Sequence, residues 1–486
     1  MNWTRREFIG VGGAALALAA TGCDQATAAR RALYGSTSQP LAGPLAFPAA
    51  ETLDEVSHVL NRLTFGPRPG DHARVTGMGV PAFIAEQLAP ERIADPDSDR
   101  LVRRLEALDD PAGEMFEYKD RFLGEQLTRG AVLRAVASRR QLYEVMVEFW
   151  TDHFNIDPSK GDCKWLKAAD DREVIRPHAM GRFADMLRAS ALSPAMLWYL
   201  DGRVNRRHDP ADRPNENYGR ELLELHTLGV RGGYTQADVM EVARCLTGWT
   251  VRDKKRFKKG AVEFNAKDHD DGAKIVLGVH IPAGLGRADL DRVLEIVTQH
   301  PATAQHLATK LCQRFIADEP PAKAIAATAA AFTASGGNVR PTLQALFATP
   351  EFAAAAGAKL KRPFHWVVSA LRATNAETDG GKPIIDALVR MGHAPFRYPT
   401  PDGYPGTAHS WTGTLLWRWN FAADLARNQV KGCRIDQRKL EDAVGGEEGV
   451  MATFLGRQPT GAEREGYRKS GAGLALLLAS PGFQRC

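Results

Sequence analysis

The 486-residue sequence lacks the short motifs that identify the common enzyme classes. It contains no Walker phosphate-binding loop, no dinucleotide-binding glycine fingerprint, no GxSxG nucleophile elbow and no HExxH zinc motif. Each of these motifs fixes one reaction by placing backbone amides, a nucleophile or metal ligands in a known geometry. No single motif therefore assigns a reaction to this protein.

A large excess of charge of one sign is also absent. The chain has 63 Lys and Arg residues against 58 Asp and Glu residues, which gives a formal net charge of +5. Domains that bind nucleic acid carry a stronger basic excess, because they must neutralise backbone phosphates. We therefore expect no nucleic acid among the partners.

The N-terminus has only a short apolar run, at residues 10–20, which is about half of what a bilayer-spanning helix needs. Arg5 and Arg6 precede it, and Phe8 follows two positions after the pair. This order is typical of a twin-arginine export signal, which we assign to residues 1–22. The alternative is an arginine pair ahead of a buried helix. The signal predicts export through the twin-arginine translocase to the periplasm or the extracytoplasmic face of the membrane.

The end of the signal leaves two possibilities open. Thr21, Gly22 and Cys23 resemble the end of a lipobox, in which the cysteine is lipidated and becomes the mature N-terminus. The alternative is an ordinary cleavage site with a cysteine beside it and a soluble periplasmic product. Membrane contact is expected only through such a lipid. Residues 23–50 are rich in Ala, Gly, Ser and Pro, which predicts a flexible tether.

The six cysteines are widely spaced and form no CxxC pair, which excludes a zinc site of that kind. Cys245 and Cys312 lie in apolar helical patterns and are predicted to be buried thiols. Cys433 and Cys486 are the best candidates for a disulfide, because the compartment reached by export permits one.

Helical periodicity dominates from residue 52 onward, so the sequence predicts a mainly α protein with one large helical domain over residues 51–486. Residues 133–154 are predicted to be one long helix. Thr235 is predicted to cap a helix that begins at Ala237. The exception is a stretch near 249–279 with short β-favouring pieces, which predicts a small hairpin or meander inserted into the helical body.

The densest polar segment in an apolar pattern is residues 215–229. On a regular helix Asn217, Arg220, Glu221 and Glu224 share about one quadrant, and His226 lies among leucines. Arg220 can pair with Glu224, which leaves Glu221 as a free carboxylate for acid–base work or metal binding. The alternative is a buried Arg–Glu network that only stabilises the helix.

Three weaker clusters complete the candidate site. The prediction for catalysis comprises Glu221, His153, His178 and Arg176. The last two lie at a helix start that Pro177 favours and that attracts anions. The prediction for a divalent metal ion comprises Glu221, Glu224, His226, His269 and Asp270, since carboxylate oxygens and imidazole nitrogens are metal ligands. For each cluster the alternative is a side chain satisfied within the core or a solvated turn.

Several stretches together resemble one known family. They are LNRLTFGP (60–67), EFWTDHFN (148–155), IRPHAMGRF (175–183), NENYGRELLELHTLG (215–229), GGYT (232–235), LTGW (246–249), HD (269–270), HPATA (300–304) and PDGYP (401–405). The chain resembles the bacterial domain-of-unknown-function family 1800 over about residues 52–428, which leaves residues 429–486 as a C-terminal helical extension.

The resemblance implies one large, mainly helical exported domain and supplies no reaction. It also implies a possible envelope partner encoded nearby, because such proteins are often encoded beside a secreted family related to sulfatases and phosphatases. Two functions remain open. The protein is either a hydrolase or metal-dependent enzyme of the cell envelope that uses buried Glu and His residues, or a non-catalytic envelope binding or assembly protein.

Overall fold

The computed structural model describes residues 23–209, 212–254 and 258–486. The twin-arginine segment and the Cys23 side chain lie outside the described part, so the predictions that concern them stay predictions. Among the described helices, none combines the length and apolar character needed to cross a bilayer.

The protein is mainly α, as the periodicity predicts. Its α-helices are Cys23–Tyr34, Glu55–Leu63, Asp71–Met78, Val80–Gln87, Pro96–Arg103, Ala112–Met115, Asp120–Ala137, Gln141–His153, Cys163–Asp170, Arg176–His178, Phe183–Ala191, Pro194–Tyr199, Asn217–Glu221, Gln236–Cys245, Ala288–Gln299, Pro301–Phe315, Ala322–Ala334, Val339–Phe347, Pro350–Ala353, Pro363–Ala373, Lys382–Arg390, Leu415–Ala426, Gln437–Val444, Glu447–Leu455, Gly461–Lys469, Gly473–Ala479 and Pro481–Gln484. The 3₁₀ segments are Pro90–Arg92, Glu106–Leu108, Gly202–Val204, Ala266–Asp268 and Ala408–Thr414. Two π-helical segments, Asp171–Ile175 and Leu222–Thr227, lie in two of the polar motifs.

Local sequence explains where several helices begin and end. Thr235 caps the Gln236–Cys245 helix through a reciprocal capping box with Asp238. The prediction of one long helix over residues 133–154 is wrong. The first helix ends before Ser138, whose backbone is not helical. The Ser138 hydroxyl accepts a hydrogen bond from the Arg140 backbone N–H, which satisfies a donor at the start of the next helix.

Strands are few and short in the described chain. Trp249–Val251 pairs antiparallel with Val262–Phe264, and Lys274–Val276 pairs with Val279–Ile281. These two hairpins are the predicted insert. A third pair joins Glu377–Thr378 to Cys433–Arg434, outside the predicted range.

The helices pack around one extended apolar core that contains Val59 near its beginning and Phe483 near its end. The C-terminal residues belong to this body: the Lys359 and Cys486 backbones bond each other in both directions, at 3.2 and 2.9 Å. The five described cysteines are free and buried, so the predicted bond between Cys433 and Cys486 is absent. Cys245 and Cys312 are buried thiols, as predicted.

The segment predicted as a flexible tether is ordered in its described part. Cys23–Tyr34 is helical. Thr37 is buried and donates its hydroxyl hydrogen to the Ala376 carbonyl at 2.9 Å. The Leu45 N–H donates to the Ala443 carbonyl at 2.7 Å. These hydrogen bonds tie Thr37 and Leu45 to the helical body.

Candidate functional site

The Gln141–His153 helix carries a row of three carboxylates, Glu144, Glu148 and Asp152. They are spaced four residues apart, so they lie on one face of the helix. This face is turned into the protein, where each carboxylate meets arginine. A buried carboxylate needs such a partner or a proton. The row therefore defines the polar interior of the molecule.

The first carboxylate belongs to a closed ion-pair network. Arg176 donates to both Glu144 oxygens at 3.0 and 3.1 Å and to Asp171 at 2.9 Å. Burial alone would lower the pKa of Arg176, but these two carboxylates raise it well above its usual value. Arg176 is permanently charged and its partners are close, so this network holds helices together.

The other two carboxylates share a second arginine. Arg362 forms ion pairs with Glu148 at 2.7 Å and with Asp152 at 2.6 Å. Arg314 lies 3.3 Å from the second Glu148 oxygen. Asp152 thus shares its arginine with Glu148, whereas Glu148 has two.

Asp152 is consequently less stabilised as an anion than its neighbours. Burial raises the pKa of Asp152 to about 6, Arg362 opposes the rise, and the nearby Glu148 charge adds to it. The side chain is 18% exposed. A carboxyl group with this pKa exchanges protons near neutral pH.

A lysine lies close to this carboxylate. The Lys310 ammonium, on the Pro301–Phe315 helix, donates to His153 Nδ1 at 3.0 Å. Burial lowers the pKa of Lys310 to about 8, although the charges of Asp152 and Asp402 favour the protonated form. Among the described residues, no carboxylate forms an ion pair with the Lys310 ammonium within 4.0 Å. Lys310 is therefore a half-buried cation without a contacting anion in the described part of the chain.

His153 is neutral, and it holds Lys310 in place by accepting its hydrogen bond. Its Nε2 lies 3.1 Å from the His226 carbonyl oxygen, which can only accept, so Nε2 carries the hydrogen. Nδ1 then presents a lone pair to Lys310. Burial and the Lys310 charge hold the pKa of His153 well below its usual value.

The π-helical turn at Leu222–Thr227 supplies the carbonyl that orients His153. The last carbonyls of any helix lack a partner within it. Here the His226 carbonyl accepts from His153, and the Leu225 carbonyl accepts from His306 Nε2 at 3.2 Å. Two carbonyls of the π-helical turn therefore accept hydrogen bonds from imidazole rings, and one of these rings, His153, positions Lys310.

A cavity of about 100 Å³ opens beside these groups, and we call it the Asp152–Lys310 cavity. It is lined by Phe149, Asp152, Lys310, Gln313, Arg314, Lys359, Leu360, Arg362, His365, Asp402, Tyr404, Gly406 and Cys486. Asp152 and Tyr404 also line an adjacent apolar slot of about 40 Å³. The cavity wall is rich in cations, which suits a substrate that carries a negative or strongly polar group.

His365 is a further unusual group on this wall. It is buried, and its Nε2 has no hydrogen-bond partner. Burial and the surrounding arginine and lysine charges keep the pKa of His365 well below its usual value. A neutral imidazole nitrogen with no partner is available to a ligand that enters the cavity.

The loop that contains Asp402 and Tyr404 is pinned against the end of the carboxylate helix. Asn155 donates to the Tyr398 and Thr400 carbonyls at 2.9 and 2.7 Å. Gly403 has φ +74°, and a side-chain carbon there would lie 2.1 Å from the Asp152 carbonyl oxygen. Only glycine fits this approach. Two sequence motifs that lie far apart in the chain thus build one rim.

The sequence matches the family described as "Protein of unknown function (DUF1800)" over residues 58–485. The chain belongs to this family. Comparisons with curated proteins and with solved structures found no match. The match reaches residue 485, beyond residue 428, where the sequence-based resemblance was expected to end.

In this DUF1800 protein Glu221 lies on the Asn217–Glu221 helix, directly before the π-helical turn. It is half-buried, and the charged groups that act on it are Glu224, Arg220 and Asp402. Burial raises the pKa of Glu221, and the Glu224 charge raises it further. Since Asp402 lines the cavity, Glu221 lies toward the same end of the molecule.

The predicted Arg220–Glu224 pair is not formed. Arg220 instead pairs with Glu216 at 2.8 Å, one helical turn earlier. Glu224 accepts a hydrogen bond from the Tyr234 hydroxyl at 3.1 Å. The physical reason is the π-turn after Glu221, which rotates the following side chains away from their α-helical positions.

His226 is completely buried in a cluster of rings. Its ring centre lies 6.2 Å from that of His153, and neither ring nitrogen has a hydrogen-bond partner in the described part of the chain. Burial lowers the pKa of His226 to about 3. His178 is half-buried, and its side chain makes no hydrogen bond or ion pair with described residues.

His269 and Asp270 form a separate structural cluster in the β insert. Arg207 and Arg244 both bind Asp270. His269 Nδ1 lies 2.9 Å from the Thr247 carbonyl, and its Nε2 lies 3.2 Å from Asp289. Asp270 is thus held by two arginines, whereas the buried His269 Nε2 makes no hydrogen bond with the described residues.

The five predicted metal ligands thus lie in different surroundings. Within the described ranges, no three His, Cys, Asp or Glu side chains are arranged so that they could hold a metal ion. Of the predicted catalytic residues, His153 contacts the wall of the Asp152–Lys310 cavity through Lys310, whereas Arg176 belongs to the closed network.

Sequence reasoning missed Asp152, Lys310 and Arg362. A signal for Asp152 exists, since Glu144, Glu148 and Asp152 recur every four residues in an otherwise apolar helix. Lys310 has no comparable signal, because a single lysine in an amphipathic helix usually faces solvent.

Proposed function

We propose that this protein is an exported hydrolase that performs proton-transfer chemistry in the Asp152–Lys310 cavity. The observation that carries the proposal is a pair of ionisable groups on one cavity wall whose pKa values are displaced toward neutrality, Asp152 upward and Lys310 downward. Such displacement arises where burial and neighbouring charges act together, and it is concentrated at catalytic sites.

The displaced values assign a role to each group. Near pH 7 Asp152 is mostly ionised, so it accepts a proton from an attacking water molecule. Lys310 is mostly protonated, so it donates a proton to the leaving group as the bond to it breaks. Water thereby adds across the cleaved bond, and proton exchange with solvent restores both groups.

The cavity wall restricts the substrate class. Arg314 and Arg362 are partly neutralised by carboxylates, and Lys359 is paired with Asp318. Lys310 is therefore the wall cation that has no ion pair in the described part of the chain. A substrate with an anionic or strongly polar group beside the scissile bond can pair with its ammonium, and the His365 nitrogen offers the substrate one more hydrogen bond.

Hydrolysis by the purified mature protein tests the proposal. Chromogenic carboxylic esters, phosphoesters and anilides are assayed with the wild type, Asp152→Asn and Lys310→Met. We expect both variants to lose at least a hundredfold in kcat. Lys382→Met is the matched control, because Lys382 is exposed and pairs only with Asp386. Equal rates in all four proteins would refute the proposal.

A second measurement does not need a substrate. Reductive methylation of Lys310, followed by mass spectrometry across pH, reports the pKa of its amine. We expect half-maximal reactivity of Lys310 near pH 8, about two pH units below the ordinary value for a lysine side chain. A profile centred on that ordinary value would remove the acid–base assignment.

The proposed location rests on the sequence of the N-terminus. Export by the twin-arginine translocase predicts that replacing Arg5 and Arg6 by Lys leaves the protein in the cytoplasm. Labelling with a radioactive fatty acid distinguishes lipidation at Cys23 from ordinary cleavage. Unchanged periplasmic yield in a strain without the translocase would contradict the export proposal.

A second candidate function is binding of an envelope protein encoded nearby, without catalysis. The observation that favours it is a group of exposed apolar side chains on the Leu415–Ala426 helix, namely Leu415, Leu416, Trp417 and Trp419. Exposed clusters of this kind often mark interaction sites. Co-purification of the co-expressed neighbour, lost in Leu416→Ser but kept in Lys310→Met, would support this function over hydrolysis.

A further inference from the structure

A second, larger cavity lies between the Glu55–Leu63 region and the Pro363–Ala373 helix, and its volume is about 310 Å³. We call it the arginine cavity. It is lined by Arg31, Gln39, Pro40, Leu60, Thr64, Arg68, Asp71, Arg74, Phe83, Gln87, Asp95, Pro96, Asp97, Ala137, Ser138, Arg139, Gln141 and Arg372. This volume accommodates a small metabolite.

Two of the lining arginines are almost completely buried. Arg68 and Arg372 are each 3% exposed. Both donate to the same acceptor, the Val136 carbonyl. Their guanidinium groups therefore converge, although like charges repel, and such an arrangement requires anions nearby.

The anions present do not balance these two cations. Asp71 accepts from the Arg68 backbone N–H at 2.9 Å and lies 3.4 Å from Arg372. Asp95 is engaged by the Ser138 hydroxyl and the Arg139 backbone N–H. Neither carboxylate contacts the Arg68 guanidinium.

The Arg68 guanidinium also has an unsatisfied donor. Its buried Nε–H has no hydrogen-bond partner among the described residues. Burial lowers the pKa of Arg68 to about 10, and burial together with the Arg68 charge lowers that of Arg372 to about 9. A buried donor on an uncompensated cation is costly unless a ligand uses it.

Two outer cations of the cavity are already paired. Arg31 forms an ion pair with Asp97, and Arg74 forms one with Glu86. Of the other lining arginines, Arg139 is exposed at the rim, and Arg68 and Arg372 meet at the buried end.

We propose that the arginine cavity binds a small phosphate-type oxyanion, whose oxygens accept hydrogen bonds from Arg68 and Arg372. Planar guanidinium groups match such oxygens in geometry and charge. The polar side chains of the remaining wall, among them Gln87, Gln141 and Thr64, surround the rest of a phosphorylated or sulfated molecule. This site is separate from the proposed catalytic groups and does not depend on them.

The binding site draws on two parts of the chain that the hydrolase proposal does not use. Arg68 directly follows the LTFGP stretch of the family resemblance. Arg31, Gln39 and Pro40 come from the segment that follows the export signal, and that segment closes one side of the cavity. Folding of the mature N-terminus and completion of the site are therefore coupled.

Isothermal titration of the mature full-length protein with inorganic phosphate, at constant ionic strength, tests the proposal. We expect saturable 1:1 binding, with chloride giving no heat and sulfate competing with phosphate. Arg68→Met should weaken phosphate binding at least tenfold, and Arg292→Met, on an exposed helix elsewhere, should leave it unchanged. Heat that is identical in wild type and Arg68→Met would overturn the proposal.

A second variant guards against misfolding of Arg68→Met. Arg139 lines the cavity from an exposed position, and its side chain makes no hydrogen bond or ion pair with described residues, so Arg139→Ala should fold normally. We expect it to weaken phosphate binding threefold to tenfold, since it removes one nearby charge. No change in Arg139→Ala, together with no saturable binding by the wild type, would show that the two buried arginines serve only to hold backbone carbonyls.

Discussion

Asp152 and Asp270 are both carboxylates held by arginine, yet their surroundings have opposite effects. Burial raises the pKa of Asp152, which shares Arg362 with Glu148. Burial acts the same way on Asp270, but two arginines and the Gly272 N–H more than offset it and hold its pKa well below the usual value. The number of partners per carboxylate, not the presence of arginine, separates the two sites.

This difference explains why the HD stretch at residues 269–270 misled the sequence analysis. An acidic residue beside a histidine suggests a metal site or an acid–base pair. In the structure Asp270 is fully committed to Arg207 and Arg244, and it stabilises the β insert. Asp152 has fewer hydrogen-bonding and charged partners, so it is the better candidate for a catalytic proton acceptor.

The largest expected effect is that of Asp270→Asn. Removing this carboxylate takes away the anion that Arg207 and Arg244 share in a partly buried site, although Arg244 keeps its ion pair with Glu241. We expect a loss of about 3–5 kcal/mol in the free energy of unfolding, measured by urea denaturation at pH 7. If Asp270→Asn were as stable as the wild type, the structural role that distinguishes Asp270 from Asp152 would be contradicted.

Lys310→Met should change the free energy of unfolding in the opposite direction and stabilise the protein. The pKa of Lys310 is lowered from 10.5 to about 8, so its burial as a cation costs stability at every pH below 8. That cost disappears between pH 8 and 10.5, where the folded form loses its proton first. We expect the variant to gain about 2–3 kcal/mol at pH 7 and nothing near pH 10.5. Urea melts at both pH values measure this, and a constant difference would count against the shifted pKa.

Much of the fold follows from periodicity, because apolar residues at helical spacing must be buried together. Thr235 caps its helix as predicted, because the cap depends only on neighbouring residues, and Asp238 completes it as a capping box. The site depends on contacts between residues far apart in sequence. Asn155 bonds the Thr400 carbonyl across 245 positions, and Lys310 reaches His153 across 157. Neither contact has a local signature.

Local backbone form was the second obstacle to predicting the site. The quadrant argument for Glu221 and Glu224 assumes a regular α-helix. The π-turn at Leu222–Thr227 changes which side chains share a face, and no residue in it enforces α geometry or forbids it. The same turn provides the carbonyl that orients His153, so the feature that invalidated the prediction also builds the site.

Asp152→Asn tests the other carboxylate of the comparison, the one whose pKa is raised. The pKa of Asp152 is raised from 3.8 to about 6, so the ionised side chain costs stability above pH 6 and costs nothing below pH 3.8. We expect the variant to gain about 2 kcal/mol relative to the wild type as pH rises from 4 to 7, because Arg362 keeps Glu148 as a partner. Thermal melts across this range test it. A relative loss with rising pH would place Asp152 in the same structural class as Asp270.

The smallest expected effect is that of Glu221→Gln, which removes a charge at nearly constant volume. The described ion pairs include none with Glu221, and its neighbours Glu224 and Asp402 repel it. Relief of that repulsion should leave stability unchanged or raise it by less than about 1 kcal/mol, since the side chain is half-exposed. Thermal melts at pH 7 provide the measurement, with Glu216→Gln as control, because Glu216 does hold Arg220. A melting temperature lowered by many degrees in Glu221→Gln alone would assign Glu221 to a structural network. It would also weaken the idea that carboxylates with few cationic partners mark the functional end of the molecule.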